Sequence, residues 1–135
     1  KEVMEVLTPG SEGSTFGGYP LASVVGTYAI KVLVEEQLAN NANIHGEYLM
    51  THLNSLMDDF PDKIKEVRGK GLLTAFEMHD DPKLDGHAVS VGLLNQGVYA
   101  KETHHTTVRL APALTINKNQ IDSLVSAIRQ VIKDL

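Results

Sequence analysis

The sequence has no cysteine, which excludes disulfides, thiolate nucleophiles and cysteine-bound metals and gives an oxidising compartment no support. Long apolar runs are also missing, since none reaches the roughly 18 residues that a membrane-spanning helix needs. Positive charge is in short supply, with 12 Lys and Arg against 17 Asp and Glu. Nucleic-acid binding rests on clustered cations that neutralise phosphates, and no such cluster is visible. Neither nucleic acid nor membrane is therefore expected as a partner. The six histidines have neither cysteines nor a His-Glu-x-x-His pattern beside them, so no metal is expected. The opening Lys-Glu-Val-Met-Glu-Val lacks the charged segment and long apolar core of a leader peptide. It reads as the interior of a longer protein.

What is present is an ordinary globular composition, 42% hydrophobic over 135 residues, enough for one domain, or for a small domain and a piece of another. Residues 8–20 carry four glycines and two prolines and predict an irregular loop. Pro20 suits the first position of a helix, and Val24, Val25, Tyr28, Val32 and Leu38 follow at helical spacing. Gly26 inside that helix costs about 1 kcal/mol relative to alanine, which predicts a close packing contact there. The Asn40-Asn41-Ala42-Asn43 stretch predicts a break, because short amides compete with the backbone. A second helix then runs through Ile44, Leu49, Leu53, Leu56 and Phe60 to Pro61.

Beyond Pro61 the period shortens. Ile64–Arg68 and Leu72–Met78 predict strands around a Gly69-Lys70-Gly71 turn, and Asp80-Asp81-Pro82 predicts a polar loop. Ala88, Val91 and Leu94 describe a short helix closed by Gly97 as a left-handed cap. Val98–Lys101 and Thr107–Leu110 read as two more strands. Asn117 with Gln120 three residues on forms a capping box, which opens a helix with the stripe Ile121, Leu124, Val125, Ile128 and Ile132. The sum is an α/β (α+β) chain with about four strands and three or four helices. Residues 1–40 are expected to belong to one domain and 41–135 to another.

Three places could carry chemistry. In Gly13-Ser14-Thr15-Phe16-Gly17-Gly18, two hydroxyls and converging backbone N–H groups before a helix would suit a phosphate; a small-residue linker has the same composition. Arg109 ends a strand between apolar neighbours and could present its fork to a carboxylate, or lie exposed on a polar face. Arg68 carries the same ambiguity, with the adjacent glycines pointing to a structural turn. His104 and His105 could titrate near neutral pH beside a site, or simply be solvated.

The motifs as a set resemble the class III pyridoxal-phosphate-dependent aminotransferases. Pro9–Leu21 is similar to that family's Pro-Gly-x-His-Gly-Ser-Thr-[Phe/Tyr]-Gly-Gly-Asn-Pro-Leu signature. Val67-Arg68-Gly69-Lys70-Gly71-Leu72 resembles the segment that opens the family's small-domain sheet. Lys101-Glu102-Thr103-His104 through Val108-Arg109-Leu110-Ala111-Pro112 looks like the Lys-x-Thr-His…Ile-Arg-[Phe/Leu]-Ala-Pro-Pro-Leu of the ornithine aminotransferases. The resemblance implies the C-terminal small domain of a fold-type I transferase, preceded by a loop and long helix from the large domain. It implies that Ser14 and Thr15 bind the phosphate of pyridoxal 5'-phosphate held by the neighbouring subunit of a homodimer. Arg109 would take a substrate carboxylate of glutamate or 2-oxoglutarate. The reaction implied is transfer of the δ-amino group of ornithine to 2-oxoglutarate. The lysine that carries the cofactor lies upstream of the Gly-Ser-Thr loop in this family, so the stretch is expected to be inactive alone.

Three positions depart from the pattern. Glu12 stands in place of His and would repel a nearby phosphate unless it points away. Tyr19 replaces an Asn that would cap the helix, a loss of about 1 kcal/mol. Ala113 replaces a proline. Related ω-aminotransferases acting on acetylornithine or 4-aminobutyrate share an arginine like Arg109, and a non-catalytic binding module on the same fold is the alternative of a different class. The family includes cytoplasmic and mitochondrial members; a cytoplasmic location is expected here, with the mitochondrial matrix as the other compartment.

Overall fold

The computed structural model describes residues 2–81 and 84–135, with side chains from Met4 onward. Pro82 of the expected polar loop lies outside the described residues, as does Lys1. The chain divides into two compact units, Lys1–Glu36 and Gln37–Leu135.

The first unit is a short 3-10 turn at Glu2–Val6, an irregular loop and the helix α1, Pro20–Glu35. Pro20 occupies the first helical position, and Tyr19 caps it without any side-chain hydrogen bond, as expected of tyrosine there. No residue of α1 is buried. The contact expected at Gly26 is therefore not found: a Cβ built there would meet nothing within 4 Å, because α1 packs no face within its own unit.

The second unit begins with α2, Leu38–Asp59. The asparagine run does not break this helix. The break comes earlier, at Gln37, whose φ of 51° takes the chain through the left-handed region. Asn41 fits inside the helix because its side chain turns away from its own backbone, donating to the carbonyls of Leu114 at 2.6 Å and Ile116 at 3.1 Å. After Phe60 come β1 (Ile64–Lys70) and β2 (Leu73–Met78), a hairpin whose two-residue turn is Gly71-Leu72. Pairing continues through Lys70, so Gly69 and Lys70 belong to the strand and not to the turn. Helix α3, Gly86–Asn95, starts at Asp85, whose carboxylate accepts from the Ala88 N–H.

The end of α3 is a double-bonded glycine cap. Val98 N–H donates to Leu93 O at 2.9 Å and Gly97 N–H to Leu94 O at 2.9 Å, with Gly97 at φ 78°. This cap engages Val98 and delays the next strand: β3 covers Lys101–Thr103, later than the expected 98–101. β4 is Thr107–Leu110, as its alternation predicts. The capping box of Asn117 and Gln120 is formed in both directions at 3.0 Å and opens α4, Lys118–Asp134.

The four strands form one antiparallel sheet in the order β1-β2-β4-β3. Strand residues alternate between faces. Ile64, Phe76, Met78, Val108 and Leu110 point inward, where they meet Leu49, Leu53 and Leu56 of α2, Val89 and Leu93 of α3, and Ile121, Ile128 and Ile132 of α4. Each of these is at most 3% exposed. The helices thus cover one face, and the alternate residues stand on the other. Helix α2 passes close to the first hairpin only because residue 46 is glycine, since a Cβ there would lie 2.3 Å from the Gly71 carbonyl carbon.

Candidate functional site

On the uncovered face of the second unit, register brings together residues that are far apart in sequence. Arg68 pairs with Ala75, Ala75 with Arg109, and Arg109 with Lys101. All four stand in one row on the same face. With strands about 4.8 Å apart, the Cα atoms of Arg68 and Arg109 are about 10 Å from each other, separated by a single methyl side chain. Arg68, Gly69, Leu73, Thr74, Ala75 and Arg109 line a recess of about 340 Å³.

The two arginines differ in how they are held. Arg68 Nη1 lies 2.8 Å from Glu77 Oε2 and 3.2 Å from Glu66 Oε2, and Nη2 is 3.4 Å from Thr107 Oγ1. Glu77 also accepts from Lys65 Nζ at 2.7 Å on its other oxygen. Hydrogen bonds from Lys65 and then Arg68 hold the Glu77 carboxyl below its ordinary range, against a smaller opposing effect of burial. In turn, Glu77 raises the ionisation of Lys65 and of Arg68. Two cations and two carboxylates thus balance locally. Arg109 is different: among the described residues its side chain makes no hydrogen bond and no ion pair. An exposed guanidinium with a methyl neighbour and a recess beside it can accept a planar carboxylate on its fork.

The sheet row identifies a relation that the sequence reading missed. Arg68 lies within β1, where the expected Ile64–Arg68 strand puts it, and register shows that it shares a face with Arg109. Glu77 was not singled out at all. The outward alternation of Leu73, Ala75 and Glu77 was visible in the sequence, but only the strand register shows what each of them faces.

Ser14 and Thr15 lie in the first unit. Both are exposed, and neither hydroxyl has a hydrogen-bond partner among the described residues. The loop turns tightly behind them: the Gly17 N–H donates to the Ser14 carbonyl at 3.3 Å, and a Cβ at Gly17 would press on Ser14 Cβ at 3.2 Å. Free hydroxyls on a turn that is tight at residue 17 fit the phosphate end of a cofactor. Glu12 is exposed in the same loop.

The histidines have structural surroundings. His45 Nδ1 is 3.2 Å from the Asn41 carbonyl, His52 stacks edge-on with Tyr48, and His79 Nε2 is 3.0 Å from the Pro61 carbonyl. His87 Nδ1 stands 3.6 Å from Glu102 Oε1. His104 and His105 form the exposed β3–β4 turn with φ of 53° and 63°, the sign that primed hairpin turns require. Among the described residues no group of three His, Asp or Glu side chains is arranged to hold a metal ion, and no helix is long and apolar enough to cross a membrane.

Comparison with known proteins settles the family. The model of the family described as aminotransferase class-III matches residues 1–132. This chain belongs to the class-III aminotransferases. The mitochondrial ornithine aminotransferase of Arabidopsis thaliana is 40% identical over 135 residues, covering 98% of this chain and 28% of the relative. The structure of Plasmodium falciparum ornithine delta-aminotransferase superimposes with a TM-score of 0.85 at 37% identity, over 99% of this chain and 34% of that one. An acetylornithine aminotransferase from Elizabethkingia anophelis gives 0.82 at 37% identity, over 98% and 33% respectively. The chain therefore spans about a third of the length of these class-III aminotransferases, and its four-stranded α/β unit with the preceding loop and helix is a part of their fold.

Proposed function

We propose that this chain is the C-terminal part of an aminotransferase that moves the δ-amino group of ornithine to 2-oxoglutarate, giving glutamate semialdehyde and glutamate. The observation that carries this reading is the unpartnered Arg109 on the open sheet face, beside a neighbouring arginine that is fully engaged. Its fork would bind a carboxylate of glutamate or 2-oxoglutarate in a bidentate geometry, and Ala75 leaves room for that carboxylate to approach. Leu73, exposed on the same face, supplies an apolar wall to the recess.

Ser14 and Thr15 would donate their hydroxyls to the phosphate of pyridoxal 5'-phosphate held by the partner subunit, which makes the active site a property of a homodimer. When bound, that cofactor takes up the electron pair left when the carbon bearing the amine loses its proton. The lysine that carries it is proposed to lie outside this stretch. Supporting that, the resemblance puts the cofactor-bearing lysine upstream of the Gly13-Ser14-Thr15 loop. Residues 1–40 are proposed as the end of the large cofactor-binding domain and 41–135 as the small domain, with the first turn of α2 joining the compact unit that starts at Gln37. A cytoplasmic location is proposed for the whole protein, with the mitochondrial matrix as the alternative.

A second amine substrate has an observation in its favour, because the acetylornithine aminotransferase structure and the Plasmodium falciparum ornithine one are each 37% identical to this chain. One experiment separates the readings. The full-length gene product, supplied with pyridoxal 5'-phosphate, is given ornithine, acetylornithine or 4-aminobutyrate while the cofactor absorbance is followed, and 2-oxoglutarate is then added. An ornithine-dependent change reversed by 2-oxoglutarate is expected. A response to acetylornithine alone would move the substrate, and no response to any amine would favour a binding module.

A further inference from the structure

The loop that carries Ser14 and Thr15 holds charge of one sign only. Between Met4 and Ile30 there is no Lys, Arg or His, while Glu5 and Glu12 are both acidic. The first cation after that stretch is Lys31, which faces Glu35 at 3.7 Å and stands about 16 Å beyond Pro20 along the axis of α1. What the loop offers a phosphate is therefore neutral: two hydroxyls and the backbone N–H groups. Glu12 precedes Ser14 by two residues, so their Cα atoms are at most about 7 Å apart. Its side chain is exposed and, among the described residues, makes no hydrogen bond and no ion pair. A phosphate resting on Ser14 and Thr15 lies on the order of one Debye length from that carboxylate, a range over which exposed charges still act on each other at physiological salt.

We infer that Glu12 sets how tightly this loop holds the cofactor phosphate, loosening it by charge repulsion so that the protein exchanges its cofactor more readily than an uncharged loop would. The inference rests on the proposed role of Ser14 and Thr15 as phosphate ligands. A carboxylate facing a phosphate across about 7–8 Å of partly screened solvent weakens binding about threefold to fivefold. The role differs from that of an acidic residue that only shapes the turn or keeps it hydrated. Such a residue acts alike on every form of the cofactor. A residue acting through its charge acts on the phosphate alone, acts less as salt rises, and is replaced without loss by aspartate.

The test uses the full-length protein, stripped of cofactor and titrated with pyridoxal 5'-phosphate and separately with pyridoxal, which has the same ring and aldehyde but no phosphate. Dissociation constants are read from the absorbance of the bound cofactor, and retention from its rate of loss on dialysis. Glu12→Gln is expected to tighten pyridoxal 5'-phosphate about threefold to fivefold in low salt, and less than about twofold at roughly 0.3 M salt, where the screening length is shorter. Pyridoxal affinity should stay within about 1.5-fold, and Glu12→Asp should behave as the parent does. Pyridoxal 5'-phosphate affinity unchanged or weakened by Glu12→Gln, or an equal shift for pyridoxal, would overturn the inference. Ser14→Ala/Thr15→Val is measured alongside. If it leaves the preference for pyridoxal 5'-phosphate over pyridoxal unchanged, the phosphate-ligand reading itself fails and takes the role of Glu12 with it; if it lowers that preference while Glu12→Gln has no effect, only the charge argument is wrong.

Discussion

Replacing Gly46 by alanine should destabilise the second unit, although alanine is the better helix former. Gly46 lies in the middle of α2, where the intrinsic preference for alanine over glycine is about 1 kcal/mol. Against that, the added Cβ would lie 2.3 Å from both the carbonyl carbon and oxygen of Gly71 and 2.5 Å from its Cα. Ordinary contact begins near 3.4 Å, so helix and hairpin must separate by about 1 Å. Both sides of the clash are backbone, and no side chain can rotate away. Overpacking of this kind costs about 3 kcal/mol, the upper end of the usual range. The net loss is then about 2 kcal/mol. In urea unfolding followed by far-ultraviolet circular dichroism, a slope of about 1.3 kcal/mol/M puts the midpoint about 1.5 M lower. Gly26→Ala in α1 is the matched control. With nothing within 4 Å of its Cβ, the same substitution should act through propensity alone and raise helix content in this chain. A Gly46→Ala variant as stable as the parent would refute the close approach of α2 to the first hairpin.

Two further outcomes follow from other contacts. Asn41→Ala removes both hydrogen bonds to the Leu114 and Ile116 carbonyls and should cost about 1–2 kcal/mol, with hydrogen exchange rising in residues 111–117; unchanged exchange there would count against it. Glu77 makes stability depend on pH with a definite sign. Its carboxyl is held below the ordinary range by Lys65 and Arg68, so its contribution is present above the pKa of an unfolded glutamate and fades as pH falls through the lower folded value. Urea midpoints should therefore drop between roughly pH 5 and pH 3, and Glu77→Gln should make that drop shallower. An identical pH profile in the variant would show that the ion pairs are not formed in solution.

Local chemistry was readable wherever a short segment determines its own conformation. The Asn117–Gln120 capping box, the Gly97 cap, Pro20 at the start of α1 and the Thr107–Leu110 strand all depend on neighbours within a few residues, and each is found where the pattern places it. The misplacements have tertiary causes. The asparagine run stays helical because Asn41 finds carbonyls more than 70 residues away, a partner no local pattern can supply. The β3 start moves because the cap of α3 takes up Val98. Gly26 lacks its expected contact because α1 buries nothing within its own unit. The site shows the same division. Ser14, Thr15 and Arg109 could be named from motifs, but the row Arg68-Ala75-Arg109 and the pairing of Glu77 with Arg68 exist only once the register β1-β2-β4 is known.

The most direct test of the central claim takes the two halves of the reaction separately in the full-length enzyme carrying Arg109→Met, following the cofactor absorbance in single turnovers. If Arg109 receives the carboxylate of the oxo acid, reaction with 2-oxoglutarate should lose about tenfold to hundredfold in efficiency, the loss of about 1.5–3 kcal/mol in charge-assisted hydrogen bonding. Reaction with ornithine should stay within about threefold, well under 1 kcal/mol. Equal losses in both halves, or none in either, would contradict the account.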